Sequence, residues 1–254
     1  MINYDLHMHT TYCDGKNSPE EMVLSAIAKG LKVVGISGHS TTPFDSRYCM
    51  SEEKTKKYIE EIKELKIKYK DQITVLCGIE QDFYAGVPKY DFDYVIGSVH
   101  YVFKDGNYLP VDESSDVFQK NVSKYYNGDY IAFAEDYFKN VSEVITKTNA
   151  DIIGHFDLVT KFNEGYKMFD ETDLRYVKAW REAVDKLIPF NKPFEVNSGA
   201  ISRGYRTEPY PSLPILEYIK RKGGRVILSS DSHSAENIAF RFNEIEQRLV
   251  DLMK

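Results

Sequence analysis

Seven short apolar runs recur along this chain and limit what it can fold into: Ile2–Leu6, Lys32–Ser37, Ile73–Ile79, Tyr94–Val99, Asp151–His155, Phe194–Asn197 and Arg225–Ser229. They are rich in Val and Ile, bounded by Gly or charged residues, and apolar at successive positions. Strands buried on both faces of a parallel sheet read this way. Between them lie amphipathic segments with helix punctuation. Ser18-Pro19-Glu20-Glu21 supplies an N-cap, a Pro at the first helical position and acids in the first turn, and Lys29-Gly30 closes that helix. Ser51-Glu52-Glu53-Lys54 opens another, with Tyr58, Ile62, Leu65 and Tyr69 along one face. Further helices fit Ala132–Lys147, Thr172–Leu187, Leu213–Arg221 and Ala235–Met253, with Lys222-Gly223-Gly224 as a stop.

Repeated β–α alternation implies an α/β fold with a parallel sheet, open or closed. Seven strands count better for a TIM-like (β/α)7 barrel than for an open doubly wound sheet, although the count alone does not decide. The 254 residues fit one domain spanning 1–254, since no repeat or linker divides them. Tyr101–Ala150 is longer than one crossover helix needs. It reads as an insertion with a loop (Lys104–Pro110, Asp112–Asp116) and two helices, serving as a lid or as packing.

The strand ends carry the chemistry. They read His7-Met8-His9, Ser37-Gly38-His39, Gly78-Ile79-Glu80, Gly97-Ser98-Val99-His100, Gly154-His155-Phe156-Asp157, Val196-Asn197-Ser198-Gly199 and Ser230-Asp231-Ser232-His233. All six histidines of the chain therefore stand at the C-terminal end of a predicted strand. One histidine there is commonly a half-buried structural residue; six of six is a pattern. In barrels and open parallel sheets alike, these ends face a common crevice. His7 and His9, two apart on an extended strand, project to one side, and Asp14 can add an oxygen a turn later. Gly35, Gly38, Gly78, Gly97 and Gly154 would let backbones and ligands approach closely.

Six imidazoles with Asp14, Glu80 and Asp231 exceed the roughly four to six donors that one ion takes. Two or three divalent ions follow, and nitrogen and oxygen donors without thiolate suit zinc, iron or manganese. Multi-metal sites of this kind activate water and clamp a transferring phosphoryl group, so phosphoester hydrolysis is the expected reaction class. A metal-free site built on a His–Asp acid–base pair would leave most of the cluster unused. No GxSxG elbow or phosphate-binding P-loop occurs. Cys13 is expected to fill space beside the cluster, because no helix N-terminus or basic neighbour activates it, and Cys77 reads as core.

Composition narrows the partners. Net charge is −6, which disfavours nucleic acid and anionic membrane, so an anionic substrate needs cations within the site. Three cysteines without a CxxC pair fit a reducing compartment, and neither a signal sequence nor a long apolar run occurs. A cytoplasmic protein with a small-molecule substrate is expected. Its oligomeric state is left open.

Taken together, Asp5-Leu6-His7-Met8-His9-Thr10 with Asp14-Gly15, Gly35-Ile36-Ser37-Gly38-His39, Gly78-Ile79-Glu80, Gly97-Ser98-Val99-His100, Gly154-His155-Phe156-Asp157 and Ser230-Asp231-Ser232-His233 resemble the polymerase and histidinol phosphatase (PHP) family in content and order. The resemblance implies a distorted barrel of seven β/α units and a trinuclear metal site. By it, His7, His9, Glu80 and Asp231 would hold one ion, and Glu80 would bridge to a second held by His100 and His155. Asp14, His39 and His233 would hold the third. Asn197-Ser198-Gly199, Arg203-Gly204 and Glu208-Pro209-Tyr210-Pro211-Ser212 resemble the histidinol-phosphate phosphatase branch, which implies L-histidinol phosphate as substrate. Arg203, Lys161 and Arg206 follow strands six and five, and are the expected phosphate-binding cations. Thr160-Lys161 departs from the arginine expected in that branch. The proton shuttle could be His39, Asp14 or Asp157. Alternative readings are a PHP-type protein-tyrosine phosphatase, a polymerase-associated nuclease, and a non-catalytic metal-binding protein.

Overall fold

The structure is a computed structural model and describes residues 2–252. In chain order the strands are β1 (Tyr4–Asp5), β2 (Val33–Ile36), β3 (Thr74–Asp82), β4 (Tyr94–Ser98), β5 (Tyr101–Lys104), β6 (Asn107–Pro110), β7 (Ile152–Ile153), β8 (Phe194–Asn197) and β9 (Val226–Ser229). Seven of them form one sheet in the order β1-β2-β3-β4-β7-β8-β9, and every pair in it is parallel. Each apolar run read from the sequence coincides with one of these strands, β3 running on to Asp82 beyond its run.

The sheet curls back on itself. Met8 bridges Ser232 in parallel. The His9 N–H donates to the Ser232 carbonyl at 2.8 Å, and the Ser232 N–H donates to the His7 carbonyl at 3.1 Å. Asp5, fully buried, accepts the Ser230 N–H at 3.1 Å. These contacts join the first strand to the last. Inside the ring Tyr94, Ile96 and Ile152 pack with Leu6, Leu76 and Ile227, residues from across the sheet that only a closed or nearly closed barrel brings together. The barrel expectation holds.

Helices cover the outside. α1 (Pro19–Ala28) starts at a Ser18–Glu21 capping box and buries Met22, Val23 and Ala26. Gly30 beyond it adopts φ 78, the left-handed exit that glycine allows. α2 (Glu52–Lys68) starts at Ser51 and buries Tyr58, Ile62 and Leu65. The Tyr58 hydroxyl reaches through to donate to the carbonyls of Ile36 (2.6 Å) and Gly78 (2.8 Å), pinning the helix to two strands.

The insertion departs from expectation. Residues 104–110, read as loop, instead lie in the antiparallel hairpin of β5 and β6, in which Lys104 pairs Asn107. Its two-residue turn is Asp105-Gly106 with φ 48 and 78, the left-handed pair that an Asp-Gly turn supplies. Three helices follow rather than two: α3 (Ser115–Tyr126), α4 (Tyr130–Val141) and α5 (Val144–Thr148). The continuous helix expected over Ala132–Lys147 breaks at Ser142, whose hydroxyl bonds the Lys139 carbonyl at 2.7 Å and competes with the helical ladder.

The remaining helices are α6 (Leu174–Leu187), α7 (Gly199–Ser202), α8 (Leu213–Arg221) and α9 (Phe242–Leu252). The helix expected over Ala235–Met253 is also divided. Ala239 (φ 54) and Arg241 (φ 56) turn left-handed before α9, and the Ala239 N–H is taken by Asp5 Oδ2 at 2.9 Å. Met253, where the expected helix ended, lies outside the described residues. Among the described residues, no helix is long and apolar enough to cross a membrane.

Candidate metal centre

The C-terminal strand ends bring His7, His9, Asp14, His39, Glu80, His100, His155, Asp231 and His233 into one cluster, with Glu80 at its middle. Glu80 Oε2 lies 2.8 Å from His39 Nδ1, 3.4 Å from His7 Nε2 and 3.5 Å from His9 Nε2. Its Oε1 lies 2.9 Å from His155 Nε2 and 3.4 Å from His100 Nε2. The same His9 Nε2 also stands 3.1 Å from Asp231 Oδ1. Asp14 Oδ2 lies 3.2 Å from His233 Nε2 and 3.7 Å from His39 Nε2.

Three donor groups have ligand atoms within 4.8 Å of one another: His9-Asp14-His39-His233, His7-His9-Glu80 and His39-Glu80-His100. The donor chemistry fits a metal. His7 Nε2, His9 Nε2 and Glu80 Oε2 are buried and have no hydrogen-bond partner. Buried polar atoms normally find partners, and a cation between such atoms would satisfy all three. The carboxylates are prepared for it. Burial, the largest single influence, pushes the Asp231 carboxyl up, but the Arg203 guanidinium together with His7, His9 and His233 holds it well below the usual range.

Behind these groups stands a layer that sequence reasoning missed. Glu195, fully buried in β8, accepts from His7 Nδ1 and from the Ser229 hydroxyl, each at 2.5 Å, through Oε1. Its Oε2 accepts the His155 N–H at 2.7 Å and Asn197 Nδ2 at 2.9 Å. Asp82 Oδ2 lies 3.2 Å from His100 Nδ1. Carboxylates bonded to the rear nitrogen of an imidazole fix its ring and aim its other nitrogen. The signal was present: a lone Glu within the apolar run Phe194–Asn197 needs a buried partner.

Asp231 takes φ 48, and a Cβ at Gly199 would meet its Oδ2 at 2.7 Å, so this glycine gives the carboxylate its place. Three of the glycines singled out from sequence serve side-chain packing, whereas Gly154 admits the Ser98 hydroxyl and the Gly97 carbonyl. Gly35 and Gly78 make room for the Tyr94 ring, and Gly97 for Ala150 and Thr148. Cys13 Sγ sits 3.6 Å from His9 Nδ1.

A cavity of about 700 Å³ opens onto Glu80, His39, His100, His155 and Asp231. Arg203 and Lys161 line it. Arg203 donates from Nη2 to Asp231 Oδ2 at 3.0 Å and from Nη1 to His233 Nδ1 at 2.8 Å. Lys161 donates to the Asp112 carbonyl at 2.8 Å and to its Oδ2 at 3.1 Å. Burial raises the Asp112 carboxyl, but Lys161, His100 and His155 pull it down to about 2. Arg206, expected at the rim, is not among the lining residues; it is 9% exposed and bonds Thr160 Oγ1. Asp157 is likewise buried off the cavity, where it accepts the Ser212 N–H at 2.9 Å. Both residues lie in the interior within each other's field: Asp157 favours the charged Arg206, while burial outweighs Arg206 and raises the Asp157 carboxyl.

The chain resembles known proteins in sequence and fold. The family model described as PHP domain matches residues 5–199. A "Probable histidinol-phosphatase" of Schizosaccharomyces pombe is 28% identical over 73% of the chain, and the match spans 62% of that protein's own length. A "Probable histidinol-phosphatase" of Deinococcus radiodurans is 27% identical, covering 98% of the chain and 93% of that protein. Among solved structures, a Listeria monocytogenes protein assigned as a histidinol phosphatase superposes with a TM-score of 0.82 at 20% identity, covering 95% of this chain and 99% of that one. A histidinol phosphate phosphatase from Lactococcus lactis, solved with zinc, L-histidinol and phosphate, superposes with a TM-score of 0.70 at 21% identity, covering 98% and 93%.

Proposed function

The chain belongs to the PHP domain family, and from that membership we propose that it is a metal-dependent phosphomonoesterase hydrolysing L-histidinol phosphate to L-histidinol and phosphate. The observation that carries this reading is the ring of imidazole and carboxylate atoms around Glu80. Three of its atoms are buried without a partner, and the ring faces a cavity that also presents Arg203 and Lys161. His7, His9, Glu80 and Asp231 would hold one divalent ion, and Glu80 with His100 and His155 a second. Asp14, His39 and His233, with His9 beside them, would hold a third. Zinc is supported by the Lactococcus relative, with iron and manganese equally suited to these donors. Such ions supply an activated water and neutralise the oxygens of the transferring phosphoryl group.

The protein's own side chains do the rest. Glu195 and Asp82 hold the imidazoles of His7 and His100 in one orientation. Arg203 presents a fixed guanidinium at the cavity wall, where it binds phosphate oxygens in two-point fashion. Lys161 adds charge tempered by Asp112. The departing alkoxide of histidinol needs a proton, and Asp14 and His39 line the cavity to relay it, whereas Asp157 does not reach it. The acidic balance and the three free thiols support a small-molecule enzyme of the cytosol without nucleic acid.

Purified protein assayed for phosphate release, with metal analysis of the same sample, tests the reading. Release from L-histidinol phosphate by a metal-containing chain is expected. Turnover of phosphotyrosine peptides but not of histidinol phosphate would overturn the substrate, and bound metal with no turnover of any phosphomonoester would overturn the activity.

A further inference from the structure

Residues 199–210 form an excursion between β8 and α8 that carries Arg203 into the cavity. Its base is closed by Asn197 and Tyr210, whose backbones exchange hydrogen bonds of 2.7 and 3.0 Å. Its tip is held mostly by bonds within itself, such as the Tyr205 N–H to the Ala200 carbonyl at 2.9 Å. Something else must set its tilt against the barrel. Arg206 bonds Thr160 Oγ1 and approaches Glu164 Oε2 at 4.0 Å. Thr207 adds a hydroxyl bond to Glu164 Oε1 at 2.5 Å.

Those partners lie on the turn that follows His155. The Arg206 guanidinium also stacks over the Tyr210 ring at 5.0 Å, and that ring meets His155 edge-on at 6.4 Å. Its side chain is 7% exposed against 26% for Arg203, so Arg203 can meet a solvent-borne phosphate and Arg206 cannot. A buried guanidinium is costly unless paired, and here the buried Asp157 supplies the balancing charge.

We propose that Arg206 is a positioning residue that sets the place of Arg203 by clamping the 199–210 excursion to the turn after His155, without touching the substrate. The inference rests on the reading of Arg203 as the cation that meets the phosphate. A planar fork that bonds Thr160 while stacking on Tyr210 fixes direction as well as distance, which a lysine does less well. Loss of the clamp therefore disorders Arg203 and leaves the metal-facing groups where they are.

A double-mutant cycle tests it, run on Arg203→Met, Arg206→Met and the pair, with p-nitrophenyl phosphate beside L-histidinol phosphate. A wrong natural substrate then shows separately, as failure on histidinol phosphate alone. Arg206→Met is expected to lower kcat/KM about tenfold with unchanged metal content, yet to change it no more than about twofold once Arg203 is already Met. Arg206→Lys should recover part of the loss, and it replaces the Met variant in the cycle if that one does not fold. Hydrogen exchange gives a readout independent of turnover. Faster exchange confined to residues 199–210, with 7–9 and 78–82 still protected, is expected. Additive losses in the double variant, loss of metal, or unchanged exchange at 199–210 would overturn the proposal.

Discussion

The two ends of the barrel interior are lined from the same strands and hold opposite chemistries. Along β3, Leu76, Gly78 and Glu80 share one face because side chains alternate with period 2. Leu76 joins the apolar plug around Tyr94 and Ile96, Gly78 makes room for the Tyr94 ring, and Glu80 stands among five imidazoles. In the plug the polar atom is satisfied, since the Tyr94 hydroxyl donates to the Leu6 carbonyl at 2.5 Å. At the other end His7 Nε2, His9 Nε2 and Glu80 Oε2 are buried without partners. Two residues of strand length thus separate a region organised for stability from one organised for binding. The outward face of the same strand, with Val75, Cys77 and Ile79, belongs to a third environment beneath α1 and α2.

Substitutions along β3 and its neighbours can break this contrast. The largest effect belongs to Glu80→Gln, which removes the carboxylate charge at the centre of the ring. It should lower turnover roughly a thousandfold or more and reduce bound metal, while circular dichroism stays native. Full metal content with a normal rate would dissolve the distinction between the two ends. Glu195→Gln acts one layer back, by loosening the hold on His7. It should cost about ten- to a hundredfold in metal affinity or rate, measured by chelator competition.

Gly78→Ala sharpens the contrast from the other side. A Cβ there collides with the buried Tyr94 ring, so stability should fall by about 1–3 kcal/mol in urea unfolding, with metal content per folded chain unchanged. A variant that lost metal but not stability would place Gly78 in the site rather than in the plug. The smallest effect is a reactivity. Burial pushes the Cys77 thiol up to about 12, so it stays protonated across neutral pH. Because the folded value lies above the unfolded one, this contribution to stability is complete below about pH 8.5 and declines as pH rises toward 12. At pH 8 a thiol reagent should modify Cys77 only at the rate of unfolding. Rapid labelling would show that the outward face of β3 is open to solvent.

Much of this was legible in the residues. Val- and Ile-rich runs bounded by charge announced the parallel strands, and the histidines at their ends announced a shared crevice. The hairpin is legible too, in Asp105-Gly106, but the apolar alternation around it is too short to tell its turn from a loop. The divided C-terminal helix was not legible, because the group that interrupts it, Asp5, lies at the other end of the chain. Arg206 shows the limit for the site. A cation three residues beyond Arg203 carries no mark in the sequence of facing inward, and burial next to Asp157 is a property of how two loops meet.

The sequence by itself determined which atoms could bind metal: imidazoles and carboxylates at strand ends, delivered to one side by the handedness and direction of β/α units. Only the tertiary structure decided which carboxylates face the cluster and which stand behind it. Glu80 and Glu195 are the same residue type on strands of one barrel that β4 and β7 separate. Curvature and register turn the first toward the cavity, with Oε2 facing His7 Nε2, and leave the second to hold His7 Nδ1 from the rear, because a buried carboxylate is tolerable only beside groups that offset its charge.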